Sequence, residues 1–116
     1  MSFMMTNRKK RSDRNHVIYC ITNVLTNEQY VGITAVAYKG NVKRTLIRRM
    51  QKHYQRAMTE TKGWALCENL RTYGAESFTF GVLEVIRGKS QAHARETEII
   101  NSVRPALNTF QSRASM

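Results

Sequence analysis

The stretch that decides the fold is His16-Val-Ile-Tyr-Cys-Ile-Thr-Asn-Val-Leu-Thr-Asn-Glu-Gln-Tyr-Val-Gly-Ile33, near the start of a 116-residue chain. Its two runs, His16–Thr22 and Gln29–Thr34, are rich in β-branched and aromatic residues, and a polar link separates them. This pattern predicts two antiparallel strands joined by a hairpin turn. The hairpin would bring Tyr19 and Tyr30 roughly opposite each other. Tyrosines on a hairpin are usually packing residues, so the pair alone does not indicate a site.

The composition restricts the partners of the chain. It has 19 lysines and arginines against 8 acidic residues, a formal charge of +11. Such an excess indicates a polyanion, either nucleic acid or a membrane surface, because solubility alone needs less charge. No apolar run is long enough to span a membrane, no secretory leader is visible, and the two cysteines lack zinc-site spacing. We therefore expect a single cytoplasmic domain that binds nucleic acid.

The downstream elements follow from hydrophobic periodicity. Apolar residues in 42–58 recur at the three-and-four spacing of a helix, and a second helix is predicted over Trp64–Tyr73. Ser77–Ile86 alternates as a strand, and a last helix ends at Val103, before Pro105. The order β-β-α-α-β-α predicts an α+β fold, a small three-stranded antiparallel sheet flanked by three helices. The predicted division is a flexible basic arm (1–15), one domain (16–110) and a short tail (111–116).

Glu96 lies in the middle of an apolar helix face. At about 100° per residue, it shares that face with Ala92, Ile100 and Val103, whereas Glu98 points to solvent. A carboxylate buried there without a partner would cost several kcal/mol, so Glu96 is expected to pair with an arginine or to bind a cation.

Arg49 and His53 are one helical turn apart and face the same way. The apolar stripe of their helix includes Ile47 and Tyr54, which places Arg49 and His53 at its edge, while Arg48 lies on the solvent side. An arginine at such a margin can hold a phosphate with its planar fork. For His53, a packed and hydrogen-bonded histidine is the alternative to a catalytic one.

Several short motifs resemble one known family in their order along the chain. Val17-Ile18-Tyr19 and Tyr30-Val31-Gly32 resemble the two triplets that name the GIY-YIG nucleases, with Val17 in place of the usual Gly. The others are Arg49-x-x-x-His53, Tyr73-Gly74 with Phe78, Val82-Leu83-Glu84, Arg95-Glu96 ahead of Ile99-Ile100, and Asn108 after Pro105. The resemblance covers about residues 16–110.

The resemblance implies a divalent-metal-dependent DNA endonuclease. Its sequence specificity is expected to be low or modest, because phosphate contacts give affinity without sequence information. Glu96 would hold a single Mg²⁺ or Mn²⁺, an ion that keeps several waters. Tyr19 would orient or deprotonate the attacking water, and Arg49 would neutralise the scissile phosphate. The implied catalytic set is Tyr19, Tyr30, Arg49, His53, Glu96 and Asn108, the last as an orienting hydrogen-bond partner.

The remaining basic residues are expected to contact DNA phosphates, although a solvated basic face is the alternative. They are Arg44, Arg48, Lys52 and Arg56 on the first long helix, and Lys9, Lys10 and Arg11 in the arm. A homodimer would be one route to double-strand cleavage, in a bacterial or phage-infected cell. Two other functions remain open: a catalytically inactive nucleic-acid-binding module on the same scaffold, and a nuclease acting on RNA.

Overall fold

The computed structural model describes residues 14–59 and 64–108. In these residues the chain follows the predicted order β-β-α-α-β-α, and, apart from the start of the last helix, each boundary lies within one residue of its predicted position. The α+β prediction is therefore confirmed. The strands are β1 (Asn15–Asn23), β2 (Gln29–Ala35) and β3 (Phe78–Arg87), and the helices are α1 (Val42–Thr59), α2 (Ala65–Tyr73) and α3 (Lys89–Val103). The division into arm, domain and tail stays a prediction.

The central strand of the sheet is β1. The strand order is β2-β1-β3, and both pairings are antiparallel. Val17 and Tyr19, which are completely buried, point to the face that α1 and α2 cover. Ile18 points to the opposite face, where it packs with Ile100 of α3. This alternation is what a strand buried on both sides requires, and it sends the Tyr19 side chain towards α1.

The hairpin turn is anchored by the buried side chain of Asn23. Its Oδ1 accepts hydrogen bonds from the main-chain N–H of Leu25 at 2.8 Å and of Thr26 at 3.3 Å. Its Nδ2 donates to Asn69 of α2 at 2.6 Å, and Asn69 in turn donates to Glu28 at 3.2 Å. These bonds attach the turn to α2 and so fix the register of the two strands that carry the tyrosines.

The buried face of α1 is rotated from the predicted one. Thr45 and His53 are buried, whereas Ile47 and Tyr54 are 39% and 42% exposed. The Thr45 hydroxyl donates to the Asn41 carbonyl at 2.8 Å, which satisfies it inside the core. The rotation carries the Arg49–His53 side of the helix closer to the sheet than the apolar residues alone predict.

Edge strand β3 leaves four apolar side chains partly exposed. Phe80, Val82, Leu83 and Val85 are each between 43% and 46% exposed, and Leu83 is the extra residue of a bulge opposite Ile18 and Tyr19. The strand therefore forms as predicted, but the described residues leave its apolar side chains partly uncovered. None of the helices in the described part of the chain is long and apolar enough to cross a membrane.

Candidate active site

Tyr19, Tyr30 and Gly32 lie on the α1 face of the hairpin. Tyr19 pairs with Gly32, and Tyr30 pairs with Ile21, so the two tyrosines, expected to lie roughly opposite each other, are diagonal neighbours on one face. Their ring centroids are 6.3 Å apart. A Cβ at Gly32 would lie 2.6 Å from the Tyr19 hydroxyl and 2.8 Å from the Tyr30 ring. Gly32 therefore leaves the space in which the two phenol rings come together.

His53 and Arg49 of α1 both contact the Tyr19 hydroxyl. Nε2 of His53 and the hydroxyl are hydrogen-bonded at 2.8 Å, and Nε of Arg49 donates to the hydroxyl oxygen at 3.3 Å. The His53 ring also packs edge-on against Tyr30, with centroids 5.4 Å apart. Because the Tyr19 oxygen accepts from Arg49, its own proton is available to the imidazole. Four of the residues predicted for catalysis thus meet around one hydroxyl.

Burial and nearby charges set the protonation states of these groups. Burial, reinforced by the positive charges of Arg49 and Arg56, lowers the pKa of His53 to about 4, so its imidazole is neutral at pH 7. Burial raises the pKa of Tyr19, and the Arg49 guanidinium partly offsets that rise. Burial and the neighbouring Tyr19 raise the pKa of Tyr30 further. Both phenols are therefore protonated at neutral pH.

Glu96 lies on α3, within electrostatic reach of both tyrosines. Its negative charge raises the pKa of Tyr19 and of Tyr30. Its side chain is 18% exposed, against 69% for Glu98, which matches the predicted difference between the two glutamates. Nδ1 of His93 lies 3.6 Å from the Glu96 carboxylate. The carboxylate is therefore mostly covered and close enough to both tyrosines for its charge to act on them.

No group of three or more histidines, cysteines or acidic residues is close enough to bind a metal jointly in residues 14–59 and 64–108. These described residues therefore do not supply the ligands for a structural zinc or for a Ca²⁺ site built from several carboxylates. A single carboxylate fits Mg²⁺, which keeps most of its waters and takes one or two carboxylates together with substrate phosphates.

Asn108 contacts main chain rather than the tyrosines. Its Oδ1 accepts from the Val31 N–H at 2.8 Å, and its Nδ2 donates to the Val31 carbonyl at 2.9 Å. The neighbouring Leu107 N–H donates to the Gln29 carbonyl at 2.8 Å. The segment after α3 thus runs along the outer edge of β2 and holds the main chain on both sides of Tyr30.

Arg44 and Arg48 are held by Tyr38, a residue that sequence reasoning did not single out. The Arg44 guanidinium lies 4.5 Å from the centroid of the Tyr38 ring, and Nε of Arg48 donates to the Tyr38 hydroxyl at 3.2 Å. The sequence signal was an aromatic residue next to Lys39 and Gly40, just before a strongly basic helix. Both arginines are exposed, and Tyr38 fixes where they point.

The other predicted DNA contacts are distributed along α1. Lys52 lines a cavity of about 230 Å³ together with Arg48 and Arg49. The Arg56 guanidinium lies 5.7 Å from the centroid of the Trp64 ring, and both residues line a smaller cavity that Tyr30 and His53 share. Lys9, Lys10 and Arg11 lie outside the described residues.

The comparison with known proteins covers nearly all of the described residues. The family model of the GIY-YIG catalytic domain matches residues 15–111. Neither the search of curated proteins nor the search of solved structures returned a match. The matched range begins with β1 and includes Asn108, so it contains every element of the sheet and all six residues predicted for catalysis.

Proposed function

The chain belongs to the GIY-YIG family of nuclease catalytic domains, and we propose that it is a divalent-metal-dependent endonuclease that hydrolyses phosphodiester bonds of DNA. The observation that carries the proposal is the Tyr19 hydroxyl, which lies 2.8 Å from His53 Nε2 and 3.3 Å from Arg49 Nε. A phenol with a neutral imidazole on one side and a guanidinium on the other can accept a proton from water as it passes its own proton on.

Arg49 links the substrate phosphate to this proton transfer. Tyr19 is completely buried, and the half-buried Arg49 lies between its hydroxyl and the cavity of about 230 Å³. A phosphate in that cavity competes with Tyr19 for the guanidinium and draws the arginine outward, which opens a path for water to the hydroxyl. The same negative charge counteracts the arginines that lower the pKa of His53, so the imidazole becomes a better proton acceptor once substrate is bound.

The role proposed for Tyr30 differs from that of Tyr19. It is less buried than Tyr19, and its pKa is raised further, so its phenol keeps its proton. It is therefore suited to donate a hydrogen bond to a phosphate oxygen rather than to act as a base. Asn108 is proposed as a positioning residue, because its two bonds to Val31 hold the strand that carries Tyr30.

Glu96 is the proposed ligand of a single Mg²⁺ or Mn²⁺. When bound, such an ion would stabilise the charge on the leaving oxygen. The covered position of the carboxylate and its effect on both tyrosines support this role. The proposed specificity is low or modest, because the basic side chains on α1 are suited to phosphates, which carry no sequence information.

A plasmid assay tests the function. The wild-type protein should convert supercoiled DNA to nicked product only when Mg²⁺ or Mn²⁺ is present. Glu96→Gln should abolish cleavage at every metal concentration, whereas Glu98→Gln, the same change at the exposed neighbour, should cut at the wild-type rate. Binding without cleavage by the wild-type protein would instead favour the inactive binding module. Linear product that appears together with nicked product would favour a dimer.

A further inference from the structure

A second basic cavity lies on the far side of Tyr38 from the proposed catalytic residues. It has a volume of about 500 Å³ and opens between the start of β1, the end of β3 and the loop from β2 to α1. Each segment contributes one cation: Arg14, Arg87 and Lys39. A concave surface lined by positively charged side chains attracts an anion.

The walls of this cavity are fixed by main-chain hydrogen bonds. The Arg14 carbonyl accepts from the Gly88 N–H at 3.0 Å and from the His16 ring at 2.9 Å. Asn15 pairs with Arg87 across the sheet. Arg14 and Arg87 therefore extend from the rigid ends of adjacent strands, which is a better support for a binding site than a free loop.

The loop that carries Lys39 has an unusual backbone. Tyr38, Lys39 and Gly40 follow one another with φ values of 55°, 57° and 85°, all in the left-handed region. For residues other than glycine this conformation is costly, and it persists only where the surroundings enforce it. The contacts of Tyr38 with Arg44 and Arg48 are part of that enforcement.

Tyr38 connects this cavity to the one beside the catalytic residues. It lines both, with Arg48, Arg49 and Lys52 on one side and Arg14, Lys39 and Arg87 on the other. No carboxylate of the described residues lines either cavity. A continuous basic lining therefore runs from Arg49, at the Tyr19 hydroxyl, across Tyr38 to the ends of β1 and β3.

We propose that the cavity formed by Arg14, Lys39 and Arg87 is a second phosphate-binding subsite, which holds the DNA backbone on one side of the scissile bond. The proposal rests on the proposed function for the identity of the polyanion. The second subsite lengthens the DNA footprint in one direction, along the line from Arg49 through Tyr38.

The test compares two double variants, each of which removes two positive charges. Lys39→Asn with Arg87→Gln removes two cations of the cavity, and asparagine tolerates the left-handed backbone at position 39. The control is Arg104→Asn with Lys89→Gln, because Arg104 also has a left-handed backbone, with φ of 53°, and neither residue lines these cavities. Circular dichroism checks that both variants fold. Affinity for duplexes of increasing length is measured without divalent metal, over a range of salt concentrations.

The cavity variant should reduce the slope of log K against log salt by about 1.8, which corresponds to two phosphate contacts, and the control by less than half of that. Its affinity should also stop rising at a shorter duplex length than that of the wild type or the control. Equal slope changes in the two variants, or equal plateau lengths, would overturn the proposal. Plasmid cleavage by the wild type is scored separately. If the slope and length differences are found but the wild type never cuts, the subsite proposal stands and the proposed nuclease function is wrong.

Discussion

The carboxamide of Asn108 forms two hydrogen bonds with the main chain of Val31, one in each direction, at 2.8 Å and 2.9 Å. A side-chain amide thus takes the place that a fourth strand would occupy at this point of β2. Val31 lies between Tyr30 and Gly32, so these bonds fix the strand next to the tyrosines. This is how the orienting role expected for Asn108 would act, through the backbone rather than through substrate.

Asn108→Asp should lower the free energy of unfolding by about 1–3 kcal/mol, because the carboxylate cannot donate to the Val31 carbonyl and leaves it unsatisfied. Asn101→Asp makes the same chemical change at an exposed position of α3 and serves as the control. Urea unfolding measures both. Equal losses in the two variants would mean that the Val31 bonds do not contribute.

Arg48 and Arg49 are adjacent in sequence but have different partners, Tyr38 and Tyr19. Arg49→Ala should lower the single-turnover cleavage rate by about 10² or more, as expected when one donor to the transition-state charge is lost. Arg48→Ala should mainly weaken DNA binding and reduce the salt slope by about one, with little change in rate at saturating protein. A larger loss of rate for Arg48→Ala would contradict the assignment of Arg49.

The hairpin and the order of elements could be predicted, because β-branched runs and helical spacing are local signals. The register could not. Asn23 closes the turn with its own side chain and attaches to Asn69, 46 residues further along the chain. No local pattern contains that contact, so the sequence could place Tyr19 and Tyr30 only roughly opposite each other and could not pair Tyr19 with Gly32.

The rotation of α1 has a similar cause. Periodicity counts apolar residues, whereas Thr45 and His53 are buried because their polar atoms have partners inside the protein. Conversely, the periodicity assigns Ile47 and Tyr54 to the buried face because they are apolar or aromatic, yet both side chains are partly exposed. The contrast between Glu96 and Glu98 could be predicted because it depends only on their angular positions along one helix.

Gly32→Ala should disturb the tyrosine pair without removing any catalytic group. The new Cβ would lie 2.6 Å from the Tyr19 hydroxyl, so the ring must move. Displacements of about 1 Å can cost roughly a hundredfold in rate, and we expect a loss of that order. Gly81→Ala is the matched control on β3, because a Cβ there meets nothing within 4 Å. Single-turnover cleavage at saturating protein compares them. Equal rates for the two variants would show that the position of the rings is unimportant.

The pKa of His53 links the site to acid stability. Its value of about 4 in the folded protein lies below the ordinary 6.5, so between these values the unfolded chain binds more protons than the folded one. Stability is therefore complete above about pH 6.5 and falls as the pH decreases towards 4. By pH 5 this one group should lower the free energy of unfolding by about 2 kcal/mol.

His53→Gln removes that titration while keeping a hydrogen-bonding side chain opposite Tyr19. Urea unfolding at pH 8 and pH 5 should therefore show a stability loss about 2 kcal/mol smaller in the variant than in the wild type, since the other histidines titrate in both. Equal losses would mean that His53 is charged, or solvated, in the folded protein. The pH dependence of kcat/KM, which reports the free enzyme, should also show no step near pH 6.5, because the imidazole of the free protein is neutral on both sides of that pH. A step there would mean that the group whose titration limits the rate is not the buried His53. Another residue would then be the proton acceptor.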